Sequence, residues 1–159
     1  MRFNFVSQSP ARTEKVARML GAELRALGKK RGHAFCIALS GELGAGKTLF
    51  VKGLARGLGL HSPIQSPTFI IMRRHALARR SFSKGGAFKN FWHMDCYRLK
   101  KQSELTSLHF REILKDPKNI VAIEWAERIK KLLPKDTLWI LLSHDSPTVR
   151  AITLHHAGR

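Results

Sequence analysis

Long apolar runs are missing from this chain. Stretches such as Phe35 to Leu39 and Ile120 to Ile123 fall far short of the roughly 20 residues a bilayer span requires, so no membrane span is expected. The opening residues, MRFNFVSQSPARTEK, contain no continuous apolar stretch of signal-peptide length and mix charge with polarity early. Export is not expected, and the cytoplasm is the default compartment. Cysteine is nearly absent too: Cys36 and Cys96 both fall in runs read as buried strands, which favours reduced packing thiols over a disulfide framework or a metal site. His75, His109, His144, His155 and His156 lack metal-ligand spacing and read as surface or packing residues. No internal repeat and no low-complexity tract occurs.

Acids are few as well. Against 29 Lys and Arg stand 11 Asp and Glu, a formal net charge of +18. Such a field attracts polyanions. No groove-reading nucleic-acid motif accompanies it, so RNA or DNA contact, an acidic membrane, an acidic protein partner and a merely solvated basic surface all fit the charge.

What is present suits one domain over 1–159, since this length with 43% hydrophobic residues supports a genuine core. After the short apolar start at Phe3, Phe5 and Val6, Ser9 and Pro10 read as N-cap and first residue of a helix, with Val16, Leu20, Leu24 and Leu27 forming its apolar face and Gly28 placed to stop it. Phe35 to Leu39 is apolar on both faces, as a strand inside a parallel sheet must be. A second helix follows Thr48, with Phe50, Val51, Leu54 and Leu58 at helical spacing and Gly57 and Gly59 at its end. Pro63 and Pro67 break the next loop before an apolar strand expected at Phe69 to Met72. From Arg73 to Asn90 the chain carries Lys and Arg but no acid and reads as a basic loop or hairpin insert. Phe91 to Asp95 reads as a strand, and Ser103 to Leu114 as a helix with Leu105, Leu108 and Ile113 inward. Ile120 to Trp125, Leu138 to Leu142 and Val149 to His155 read as further strands. This alternation predicts an α/β fold, a three-layer P-loop NTPase-like sandwich with a mostly parallel central sheet, flanking helices and an antiparallel last edge.

The strongest signal is GELGAGKT at 41–48, a full GxxxxGK[ST] match between a buried strand and an amphipathic helix. That setting lets backbone N–H groups and a helix N-terminus converge on phosphate. Gly41, Gly44 and Gly46 allow a close wrap, so Glu42, Leu43, Ala45 and Leu49 join them as backbone of the nucleotide site. Lys47 supplies charge to the β and γ phosphates of ATP, and the Thr48 hydroxyl suits a Mg2+ ligand. A carboxylate should end a neighbouring strand. Glu124, closing the apolar run Ile120 to Ile123, and Asp95, closing Phe91 to Met94, both qualify as groups holding or orienting the metal. Thr68 could sense the γ-phosphate, although a Ser-Pro-Thr turn is also ordinary turn chemistry. Tyr97 and Trp92 read as core or rim aromatics.

Four blocks in order, GELGAGKT, SPTF at 66–69, His93-Met94-Asp95-Cys96-Tyr97-Arg98-Leu99 and Glu124-Trp125-Ala126-Glu127-Arg128, resemble the TsaE family, also called YjeE. These are bacterial P-loop ATPases required for threonylcarbamoyladenosine modification of tRNA. The resemblance implies that Thr48 and Glu124 bind magnesium, that Thr68 belongs to a nucleotide-sensing loop, that Asp95 lies beside the γ-phosphate and that Trp125 packs near the site. It also implies adenosine contacts through Pro10 and Thr13, and a hetero-complex with TsaB and TsaD that ATP hydrolysis resets. The stretch Arg73 to Asn90 is longer and more cationic than the family pattern.

The expected chemistry is in-line attack of water on the γ-phosphate, with Lys47 and magnesium neutralising charge and Asp95 orienting the water. Arg98 and Arg128 are candidate arginine fingers. Without one, turnover of the lone chain should be slow. The alternatives are a small-molecule P-loop kinase, with Arg73 to Asn90 as a basic lid, and a non-catalytic RNA-binding module.

Overall fold

Alternate residues of the buried strands point into two different cores, and this decides the architecture. The structure, a computed structural model of the chain, describes residues 2–26, 31–78, 88–144, 146 and 148–156. In β2 (Phe35–Ser40), Phe35, Ile37 and Leu39 face one apolar cluster while Cys36 and Ala38 face another. In β5 (Asn119–Glu124), Ile120 and Ala122 join the first and Val121 and Ile123 the second. A strand apolar on both faces requires a covering layer on each. The first is α1 (Pro10–Ala26) and α2 (Lys47–Gly57); the second is α3 (Glu104–Ser107), α4 (Phe110–Lys115) and a 3-10 segment, Ala126–Leu132.

The remaining strands are β1 (Arg2–Ser7), β3 (Met72–Ala76), β4 (Asn90–Asp95), β6 (Leu138–His144) and β7 (Arg150–His156). One sheet of seven strands results, ordered β1-β7-β6-β2-β5-β4-β3. Its centre, β6-β2-β5-β4, is parallel, whereas β7 and β1 on one side and β3 on the other are joined antiparallel. This is the expected α/β sandwich with antiparallel pairing at both edges. The segment Phe3 to Val6, read only as an apolar start, is the outermost strand. No described helix is long and apolar enough to cross a membrane.

Three local expectations change. Helix α1 starts at Pro10 with the Ser9 hydroxyl accepting from the Arg12 amide at 3.2 Å, as expected, but Thr13, Ala17, Gly21 and Leu24 form its buried line, while Val16 and Leu20 are half-buried. The reason is close helix packing: a Cβ on Gly21 would fall 2.3 Å from the Leu54 carbonyl oxygen, and one on Gly57 would fall 2.1 Å from that of Arg18. Leu27 and Gly28 lie outside the described residues. The strand expected at Phe69 to Met72 instead begins at Met72. Residues 68–70 form a turn, Phe69 is 81% exposed, and Ile71 has φ of 64°. Arg73 and Arg74 therefore stand exposed on edge strand β3, where charge discourages further strand pairing. Residues 79–87 of the basic stretch lie outside the described residues. The helix expected from Ser103 to Leu114 is two helices, broken where His109 takes φ of 52°, and Phe110 joins Leu105 and Ile113 in the core.

Candidate nucleotide site

Strand β2 ends at Ser40 and α2 begins at Lys47, so residues 41–46 must reverse direction tightly between them. Gly41 and Gly46 do this with φ of 138° and 100°, backbone that a side chain would strain. Space enforces the same choice, since a Cβ on Gly41 would lie 2.0 Å from the Leu142 carbonyl oxygen. No side chain caps the start of α2. Its first amides and the positive end of its dipole are thus open to an anion.

Lys47 is buried and folded back over this loop. Its Nζ donates to the carbonyls of Gly41 and Glu42 at 2.7 and 2.8 Å and lies 3.7 Å from the centre of the Trp125 ring. Burial lowers its pKa from the ordinary value, partly offset by the carboxylates of Glu124, Glu127 and Asp95. An ammonium held by carbonyls and an indole face, near carboxylates, is a cation ready for a phosphate counter-charge.

The parallel strands β4 and β5 end beside the loop, and their register pairs Asp95 with Glu124. Thr48 Oγ1 donates to Glu124 Oε2 at 2.8 Å, and His93 Nε2 lies 2.8 Å from Glu124 Oε1. Asp95 Oδ2 accepts the hydroxyls of Ser66 at 2.7 Å and Thr68 at 2.5 Å, while Oδ1 accepts the Tyr97 amide at 2.9 Å. Asp95 thereby ties the 66–68 loop to the sheet. These groups converge on a cleft of about 340 Å³. Leu43, Gly44, Gly46, Lys47, Thr48 and Leu49 line it from the loop and α2; Thr68, Asp95, Glu124 and Trp125 close the opposite side.

The remaining sequence-selected residues lie elsewhere. Gly41, Glu42 and Ala45 belong to the loop backbone without lining the cleft. Pro10 is exposed, and Thr13 is fully buried with its hydroxyl donating to Ser7 Oγ at 2.9 Å; neither lines the cleft. Arg98 stacks on Phe69 at 4.3 Å, and Arg128 donates to the Leu99 carbonyl at 3.2 Å. Ser66 and Tyr97 line the cleft without having been singled out for it. Ser66 could have been found from the Thr68 hypothesis, because both hydroxyls flank the same proline. Trp125, with φ of 57°, packs its ring 5.1 Å from that of Tyr97.

The residues fit a magnesium nucleotide better than a free-standing metal. Among the described residues no group of three His, Cys, Asp or Glu could hold an ion. Thr48 and Glu124 offer two oxygen ligands at the phosphate loop, the sparse protein contribution typical where phosphates and water complete a magnesium shell. Cys36 and Cys96 are free and buried, and burial pushes both thiols up to about 12.

The chain resembles known proteins along most of its length. A family model described as threonylcarbamoyl adenosine biosynthesis protein TsaE matches residues 7–152. The tRNA threonylcarbamoyladenosine biosynthesis protein TsaE of Bacillus subtilis is 34% identical over 137 residues, covering 86% of this chain and 78% of that protein. The protein of the same name from Borreliella burgdorferi is 40% identical over 103 residues, 65% of this chain and 68% of its own. A crystal structure of Bacillus subtilis YdiB superposes with a TM-score of 0.68 at 26% identity, covering 99% of this chain and 87% of that one.

Proposed function

The chain belongs to the TsaE family, whose role is in tRNA threonylcarbamoyladenosine biosynthesis, and from that premise we propose that it is a cytoplasmic magnesium-dependent ATPase acting as a nucleotide switch on a TsaB–TsaD assembly. One observation carries the catalytic part: the Thr48 hydroxyl already donates to Glu124 at 2.8 Å across the mouth of a phosphate-binding loop. That pair is what a P-loop site uses to hold magnesium.

The residues divide the work. The amides of the 41–48 loop cradle the β-phosphate, and Lys47 leaves the carbonyls of Gly41 and Glu42 for the β and γ oxygens. Thr48 and Glu124 hold the ion, which neutralises phosphate charge when bound. Asp95, on the neighbouring strand, orients the attacking water. Exchanging the Thr68 hydroxyl for that water frees Thr68 to meet the γ-phosphate. The nucleotide state is thereby read by the 66–69 loop, whose Phe69 is exposed at the surface.

Arg98 and Arg128 are engaged with Phe69 and the Leu99 carbonyl, which supports a slow lone enzyme. An arginine supplied from outside accelerates such sites by about a thousandfold or more. The test is phosphate release from Mg-ATP by the wild-type chain and Lys47→Ala, with and without TsaB and TsaD homologues. Slow release that the partners accelerate and Lys47→Ala abolishes supports the reading. Equal rates with and without partners overturn the switch, and phosphate transfer that depends on a small hydroxyl compound replaces it with a kinase. The net charge of +18 and the exposed Arg73 and Arg74 support direct tRNA contact as well, measurable as binding that weakens steeply with salt.

A further inference from the structure

His93 has no part in the chemistry described so far, yet it is fully buried within β4 and reaches toward the end of β5. In the parallel register it sits opposite Ala122, two residues before Glu124. The small alanine leaves the imidazole room to lean forward along the sheet face, and Nε2 ends 2.8 Å from Glu124 Oε1. The other ring nitrogen, Nδ1, is buried with no hydrogen-bond partner among the described residues.

That asymmetry assigns the tautomer. A proton on Nδ1 would be a buried orphan donor, and a bare Nε2 would turn its lone pair on the carboxylate; both are costly. On Nε2 the proton makes the one bond available. Glu124, itself 2% exposed, thus receives a donor on each oxygen: His93 on Oε1 and Thr48 on Oε2. One donor would leave the carboxylate free to rotate about the other bond. Two fix its plane.

We infer that His93 is a positioning residue for the metal site, locking the Glu124 carboxylate so that its oxygens already face the place where magnesium is to be held beside Thr48. The inference rests on the proposed magnesium–ATP reading of the cleft. Partners behind a metal ligand typically set metal affinity by about 10–100-fold. A histidine that merely fills space would leave metal dependence alone when replaced by an apolar side chain.

The experiment is a magnesium titration of nucleotide affinity by calorimetry, for the wild type, His93→Leu and His93→Gln. Leucine should raise the half-saturating magnesium concentration by about 10–100-fold. Glutamine, whose amide N–H can stand where Nε2–H stood, should return it toward the wild-type value. Nucleotide affinity in EDTA should be equal in all three, which a collapsed site would not give. If both variants keep the wild-type magnesium dependence, the inference is overturned while the ATPase reading stands. A wild type with no magnesium dependence overturns both. A proton–nitrogen correlation spectrum of the metal-free wild type tests the hydrogen-bond premise even if the leucine variant does not fold: an Nδ1-protonated ring overturns the inference.

Discussion

The Lys47 ammonium rests 3.7 Å from the centre of the Trp125 ring, so the lysine proposed to meet phosphate is held against an intrinsic fluorophore. Moving it onto a nucleotide removes a cation from the indole face. Mg-ATP should therefore change tryptophan emission, Trp125→Phe should abolish the change, and Trp92 and Trp139 should contribute only constant background. Lys47→Ala should weaken nucleotide binding by about a hundredfold, the order expected for losing charge-assisted contacts to phosphate. A fluorescence titration checks both. An emission change that persists in Trp125→Phe would move the reporter elsewhere.

The same lysine predicts a pH dependence. Burial disfavours its charged form, so its pKa lies below the ordinary 10.5. Only the charged form binds phosphate well. Nucleotide affinity should thus fall as pH rises, with the decline beginning below 10.5, and binding in that range should take up protons because phosphate restores the missing counter-charge. Calorimetry in two buffers of different ionisation enthalpy measures the uptake. Lys47→Arg, whose charge does not titrate there, should flatten the profile.

Asp95 holds two hydroxyls in addition to the Tyr97 amide, which separates its role from that of Glu124. Asp95→Asn should lower single-turnover hydrolysis by about a hundredfold or more, the usual scale for losing a positioned base or orienting carboxylate, with ATP affinity changed only a few-fold. Glu124→Ala should instead weaken binding in a magnesium-dependent way. Identical kinetic signatures for the two variants would contradict this division of labour.

These contrasts show what could be read from the sequence. The phosphate loop was legible because its geometry is local: glycine positions, a lysine and a threonine fall within eight residues, and the flanking periodicities declare strand and helix. Glu124 and Asp95 were legible as strand ends, but not their different partners: His93 reaches Glu124 through the β4–β5 register, Thr48 comes from the first turn of α2, and Ser66 and Thr68 come from the loop before β3. Phe69 and Ile70 misled because apolar character was taken as burial, whereas both stand exposed in a turn beside the cleft. Val16 and Leu20 misled for the opposite reason: the helix pair meets at backbone distance, so small residues occupy its contact line.

That close contact is itself testable. A Cβ on Gly57 would fall 2.1 Å from the Arg18 carbonyl oxygen and 2.9 Å from the Ala22 nitrogen, both backbone atoms that cannot rotate away. Alanine gains about 1 kcal/mol of intrinsic helix propensity over glycine. Forcing α1 and α2 apart costs about 1–3 kcal/mol or more and strips contact from the core beneath them. Gly57→Ala should lower Tm by several degrees and weaken nucleotide binding, because α2 also carries Lys47 and Thr48. Thermal melting with and without Mg-ATP measures both effects; an unchanged or raised Tm would show that the helices can part without loss.

The two thiols give a prediction that depends on folding alone. Burial is the main cause that pushes Cys36 and Cys96 from 9.0 up to about 12, with Asp136 acting in the same direction on the first and Asp95 on the second. Below about pH 8 neither state ionises appreciably, so the thiols add almost no pH dependence to stability there. Between about 9 and 12 the unfolded chain releases protons that the folded chain retains, so their contribution makes stability fall as pH rises. Near neutral pH the folded protein should react with a thiol-specific disulfide reagent far more slowly than a free thiol, and denaturant should release two equivalents. Cys96 follows Asp95 directly, so if Mg-ATP tightens the cleft it should slow that residual reaction further at Cys96 and leave Cys36 unchanged. Peptide mapping of the modified sites distinguishes the two, and equal protection of both would mean that the nucleotide acts by stabilising the whole fold and not by closing the site around Asp95.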